Sequence, residues 1–185
     1  QPALKTAVVH PVDDASIMGA AEAHAQGLIH AVLVGPEAKI RRAAEAAGVD
    51  LAGMEIVPVE HSHAAAATAV ALARDGKVEA LMKGALHTDE LMAAVVRPDT
   101  GLRTARRISH VFAVDAPNSI RALFITDAAI NIYPTLMEKR DIVQNAIDLA
   151  RAVGIVAPRV AILSAVETVS PDIRSTLDAA ALCKM

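Results

Sequence analysis

From Leu4 to Gly84 the chain alternates short apolar runs with amphipathic stretches, and Gly or Pro marks most of the joins. That rhythm constrains the fold more than any other feature. Leu4 to Val9 reads as a buried strand closed by His10-Pro11. Asp13 or Asp14 then caps a helix running to about Gln26, with Gly27 as its stop. Ile29 to Val34, Met54 to Val59 and Glu79 to Met82 read as further strands. Helices between them end at Gly48 and Gly76. Pro36 suits a first helical turn, and Ser62 is the expected cap of an Ala-rich helix to Arg74. Strand, helix and strand in strict alternation with short connections predict a parallel sheet with right-handed crossovers and helices on both faces.

Ligands of such sheets bind beyond the carboxyl ends of the strands. The rule singles out His10-Pro11, Gly35-Pro36, His61-Ser62-His63 and Lys83-Gly84-Ala85. After a helix at about Asp89 to Val96 the texture changes. Arg97 to Arg107 is irregular and basic, and Val111 to Val114 is apolar. Asp115-Ala116-Pro117-Asn118 is polar, and Ala122 to Thr126 is a strand. Glu138 to Val153 has helical spacing with Ile142, Ala146, Leu149 and Val153 on one side. Val160 to Leu163 is expected to be a strand and Thr176 to Lys184 a helix. A first α/β domain is placed at 1–114 and the beginning of a second at 115–185, with the crossover near 111–118.

Composition removes several classes of function. Hydrophobic residues make up 54% of the 185, but no charge-free apolar run reaches the roughly 18 residues a membrane span needs. That content is mostly Ala, Val, Leu and Ile, as buried parallel strands require. Aromatics are 2%, too few for a base-stacking platform. The net charge of −3 offers no global basic face, so no nucleic-acid partner is expected. Cys183 is the single cysteine, which fits a cytoplasmic location and a buried, inert thiol.

Three groups of residues are able to carry chemistry. Lys83-Gly84 lets a ligand approach the backbone and meet an ammonium, with His87 next to Thr88, a possible helix cap aimed at an anion. A turn with a surface lysine explains the same residues. Arg97, Arg103, Arg106 and Arg107 crowd one stretch with Ser109 and His110 behind them. Guanidinium groups bind phosphate through two parallel hydrogen bonds, although a solvated loop accounts for the cluster equally well. Asp127 and Asn131 follow a strand, where they bind a substrate or simply cap a turn, and Ser164 and Glu167 share that ambiguity. His61 and His63 have no evident third ligand nearby, so no metal site is assigned.

The segments MKGALHTDELMAAVV (82–96), GLRTARRISHVF (101–112), FITDAAINIYPTLMEKRDIVQNAIDLA (124–150), LSAVETVSP (163–171) and TLDAAALCKM (176–185) resemble the phosphate acetyl/butyryltransferases. They lean toward the butyryltransferase-like branch, and the resemblance covers nearly the whole chain. Some members carry this module behind an enoyl-CoA hydratase domain, an arrangement compatible with a start at Gln1. The resemblance implies an isocitrate/isopropylmalate dehydrogenase-like fold, two α/β domains around a cleft. It implies transfer of an acyl group between coenzyme A and inorganic phosphate, by direct attack of the thiol on acyl phosphate in a ternary complex. Coenzyme A is a substrate and no cofactor is required. Homo-oligomers are expected.

By the same resemblance Arg103 and Arg107 hold phosphate or the phosphates of CoA. Lys83, His87 and Thr88 line one side of the cleft, Ser109 bonds the phosphoryl group, and Asp127 and Asn131 lie at its other edge. The family's Ser, Arg and Asp set that handles the thiol is expected beyond Met185, so the chain alone is expected to be inactive. A non-catalytic CoA- or phosphate-binding module is the alternative. A metal-dependent decarboxylating dehydrogenase is a weaker one, because the aspartate cluster it needs is not seen. Acyl chain length is not legible.

Overall fold

The computed structural model describes residues 2–115 and 122–185. Contacts divide it into two compact units, Gln1–Arg103 and Thr104–Met185. Residues 116–118 of the polar stretch lie outside the described residues.

The first unit holds β1 (Leu4–Val9), α1 (Asp14–Ala25), β2 (Ile29–Gly35), α2 (Glu37–Ala47), β3 (Glu55–Pro58), α3 (Ser62–Arg74), β4 (Ala80–Lys83) and α4 (Thr88–Val95). The four strands form one sheet in the order β3-β2-β1-β4. All pairs are parallel, with Val8 opposite Leu33 and Met82. Because side chains alternate along a strand, the two faces have separate cores. Val8 and Leu33 pack with Ile17 and Ala20 of α1 and Ile40 and Ala44 of α2. Ala7, Val9, Val32 and Val34 pack with Ala65, Ala66 and Ala69 of α3 and Leu91 of α4. Small alanines let α3 lie close on the sheet, which is how a chain poor in aromatics still fills a core.

Local chemistry sets most helix ends. The carboxylate of Asp13 accepts from Ser16 N at 2.9 Å and caps α1. Gly48 takes the left-handed conformation (φ 66°) that ends α2. Two expected caps are corrected. His61, not Ser62, caps α3, its Nδ1 accepting from Ala64 N at 3.1 Å. His87, not Thr88, occupies the cap position of α4 and makes no side-chain cap bond.

The second unit holds β5 (Phe112–Val114), β6 (Leu123–Ile125), α5 (Leu136–Ala152) and α6 (Arg174–Leu182). β5 and β6 pair antiparallel. A parallel pair needs a crossover of about a dozen residues or more, which the stretch between Val114 and Leu123 does not supply. Among the described residues, 104–185 form an antiparallel ribbon with two helices. Val160–Leu163 is not a strand. Both residues are exposed and pair with no neighbour among the described residues, so an apolar run without a ladder stays irregular. Cys183 is exposed, contrary to the expected buried thiol. Among the described residues no helix is long and apolar enough to cross a membrane.

Candidate functional site

Between β1 and β4 the strand order reverses. β2 and β3 lie on one side of β1, and the chain returns by α3 to place β4 on the other. Such switch points open a crevice at the carboxyl ends. The residues standing at that position here are His10, Lys83, Gly84 and Ala85. Gly84 N donates to Val9 O at 2.9 Å and Ala85 N to His10 O at 2.9 Å. His10 adopts φ 57°, a conformation uncommon for residues other than glycine. Its Nδ1 lies 2.9 Å from Ala85 O. A carbonyl only accepts, so Nδ1 carries a proton and donates it. His10 thus stands against Ala85 at the switch point, marked in the sequence only by its place at a strand end.

Lys83 folds back over this turn. Its Nζ donates to Gly84 O at 3.1 Å and to Leu86 O at 2.9 Å. An ammonium has three donors, so one remains for a ligand. Asp13 stands near enough for Lys83 to favour its charged form. The main cause of its lowered pKa is the Ser16 hydroxyl, followed by the Ser16 amide. His87 and Thr88 are exposed at the start of α4. Asp89 and Glu90 already occupy that first turn, and their charge opposes an anion at this helix end. Arg103 is exposed and has no ion-pair partner among the described residues. The His61 and His63 rings lie edge to face with centroids 6.2 Å apart. His63 Nδ1 lies 2.8 Å from Glu90 Oε1, while His61 is spent on the α3 cap.

The second unit gathers Arg107, Ser109, Asp127 and Asn131 into one network. Arg107 Nε donates to Asn131 Oδ1 at 2.7 Å. Asn131 Nδ2 donates to Asp127 Oδ2 at 2.5 Å and to Ile108 O at 2.9 Å. Asp127 Oδ1 accepts from the amides of Ala129 and Ile130, each at 3.0 Å. Helix α5 closes the network with residues the sequence reading passed over. Asp141 accepts from Arg107 N at 3.0 Å, and Asn145 donates to Arg107 O at 2.8 Å and to Ser109 Oγ at 2.9 Å. Asp148 binds Arg106 at 2.6 Å, and Glu138 lies 3.3 Å from Arg107. Positions 138, 141, 145 and 148 recur at helical spacing and form a polar stripe that flanks the apolar side. That polar stripe was the available signal.

These contacts favour ionised carboxylates. For Asp127 partial burial opposes the charge, but the Ala129 and Ile130 amides and the Asn131 amide outweigh it and hold the carboxyl below its ordinary value of 3.8. Arg107 N, ahead of Arg140, does the same for Asp141. A depressed folded pKa contributes stability that is present above 3.8 and lost as pH falls through the folded value. The second unit should therefore unfold more readily at pH 3 than at pH 6, and Asp127→Asn should flatten that dependence. An unchanged slope between the two pH values, followed by chemical denaturation, would remove Asp127 from the account.

Comparison with known proteins decides the family. The model described as phosphate acetyl/butaryl transferase matches residues 59–185. The chain belongs to that family. It is 64% identical over 180 residues to a phosphate acetyltransferase of Rhizobium meliloti, covering 97% of this chain and 57% of that protein. It is 40% identical over 181 residues to a phosphate butyryltransferase of Clostridium acetobutylicum, covering 98% of this chain and 60% of that protein. A solved branched-chain phosphotransacylase from Enterococcus faecalis superposes with a TM-score of 0.74 at 22% identity, covering 97% of this chain and 62% of that one. The chain thus spans less than two-thirds of the length of these relatives. The structural likeness is to phosphotransacylases with a parallel-sheet α/β fold, and this corrects the isocitrate/isopropylmalate dehydrogenase-like assignment.

Proposed function

We propose that the protein moves a short acyl group between coenzyme A and inorganic phosphate, acyl-CoA and phosphate giving acyl phosphate and CoA. The observation that carries this reading is the family match over 59–185. Greater identity to the acetyltransferase than to the butyryltransferase favours acetyl as the preferred group. In the direction of CoA attack, the thiol sulfur forms a bond to the acyl carbon. The bond from that carbon to the phosphate oxygen breaks, and the thiol loses its proton.

The residues at hand suit the phosphate side of that exchange. Arg107, half exposed and anchored by Asn131, offers a guanidinium to phosphate or to the phosphates of CoA. Ser109 offers a hydroxyl to the phosphoryl group. Lys83 has one free donor, and Arg103 is uncommitted among the described residues. A donor held in place before the reaction, as Arg107 is by Asn131, stabilises the charge that gathers on oxygen during acyl transfer. His87 and Thr88 meet substrate from the start of α4, beside Asp89 and Glu90. Asp127 and Asn131 act by holding Arg107. In this reading coenzyme A is a substrate, no cofactor is required, and the protein works as a cytoplasmic homo-oligomer.

The test is phosphate-dependent release of CoA from acetyl-CoA and butyryl-CoA by the full-length product of the gene that encodes this chain. Release that needs phosphate supports the proposal. Tight CoA or phosphate binding without turnover points instead to a binding module, and neither would end both readings.

A further inference from the structure

Resting on the reading of Arg107 as an anion-binding group, we propose that Glu138 is its internal counter-ion and that an incoming phosphate must displace this contact. Arg107 is fixed at three other points. Its amide donates to Asp141 at 3.0 Å, its carbonyl accepts from Asn145 at 2.8 Å, and its Nε donates to Asn131 at 2.7 Å. Asn131 is itself tied to Ile108 O and Asp127. The contact to Glu138 differs in kind. Arg107 Nη1 lies 3.3 Å from Glu138 Oε1, with the side chains 48% and 30% exposed. Strong charge-assisted hydrogen bonds are shorter, at about 2.7–2.9 Å. A ligand therefore takes over this contact and leaves the other three in place.

Glu138 has little freedom to withdraw when that happens. Its other oxygen, Oε2, accepts from Thr135 N at 2.8 Å and from Thr135 Oγ1 at 3.0 Å. With Thr135 Oγ1 accepting from Glu138 N, this completes the capping box of α5. The carboxylate thus stays beside Arg107 after phosphate arrives, and two like charges face one guanidinium. Glu138 would weaken anion binding at this position and speed release of the bound phosphate group. A single side chain serves both as a helix cap and as a brake on affinity.

Glu138→Gln separates the two roles, because Gln also serves in a capping box. Inorganic phosphate binding is measured by titration calorimetry on the full-length protein, the variant and Arg107→Gln. Removing an exposed competing charge should tighten binding by about two- to fivefold, a gain that shrinks in added salt. Arg107→Gln should abolish binding. In the unaltered protein, phosphate should also shift the carbon resonance of the Glu138 carboxyl, a readout that does not depend on how the variant folds. Loss of binding in Arg107→Gln with no tightening in Glu138→Gln, or an unmoved Glu138 resonance, overturns the inference but leaves the anion site standing. Binding that survives Arg107→Gln overturns both.

Discussion

Replacing Gly84 by Ala should lower the stability of the protein by about 3 kcal/mol and its melting temperature by on the order of 10 °C. A Cβ placed on Gly84 would lie 2.5 Å from Val9 O, 2.8 Å from His10 O and 2.9 Å from His10 C. All three are backbone atoms, so no side-chain rotation relieves the clash. The carboxyl ends of β1 and β4 would have to part. That movement strains the bonds Gly84 N to Val9 O and Ala85 N to His10 O, which hold the switch point together. It also moves the carbonyls of Gly84 and Leu86 on which the Lys83 ammonium rests. Gly19→Ala is the matched control. Gly19 lies inside α1 and its Cβ would meet nothing within 4 Å, so the same substitution should stabilise the helix by up to about 1 kcal/mol. Thermal melting of both variants checks the pair. If Gly84→Ala melts within about 2 °C of the parent, the close packing at the switch point is not as tight as the geometry requires.

The first unit was legible because its sequence punctuates itself. Apolar runs too short for helices, Asp13 before an amphipathic stretch and Gly48 behind one each have a local physical meaning. The geometry then follows from parallel-strand rules. The two misread caps show the limit of that approach: His61 and His87 precede Ser62 and Thr88, and which residue of such a pair takes the cap position depends on where the turn begins. In the second unit the meaning is not local. Asp141 and Asn145 bind Arg107 and Ser109 from more than thirty residues away. A sequence shows α5 as apolar on one side, but it does not show which segment its polar stripe meets. Val160–Leu163 failed for a related reason, since β-branched residues make a strand only beside a partner. The acyl-transfer reading was carried by long matching strings, whereas the fold drawn from the same resemblance needed the solved phosphotransacylases to correct it.

Leu33→Ala should cost about 2–5 kcal/mol, a large share of the roughly 5–15 kcal/mol by which folded domains exceed their unfolded chains. Leu33 is fully buried on β2, with β1 and β3 hydrogen-bonded on its two sides. Its side chain belongs to the core shared with Ile17 of α1 and Ile40 of α2. Strands held on both edges cannot close on the lost volume, so most of the cavity should remain. Leu163→Ala deletes the same atoms from a side chain that is 88% exposed, and surface changes of this sort stay within about 0.5 kcal/mol. Denaturant unfolding of the two variants therefore compares one chemical change in two environments. A cost for Leu33→Ala no greater than that for Leu163→Ala would mean that the sheet core is not where the stability resides. The expected difference would instead locate it in the two faces of the β3-β2-β1-β4 sheet, the same framework that holds His10 and Lys83 at the switch point.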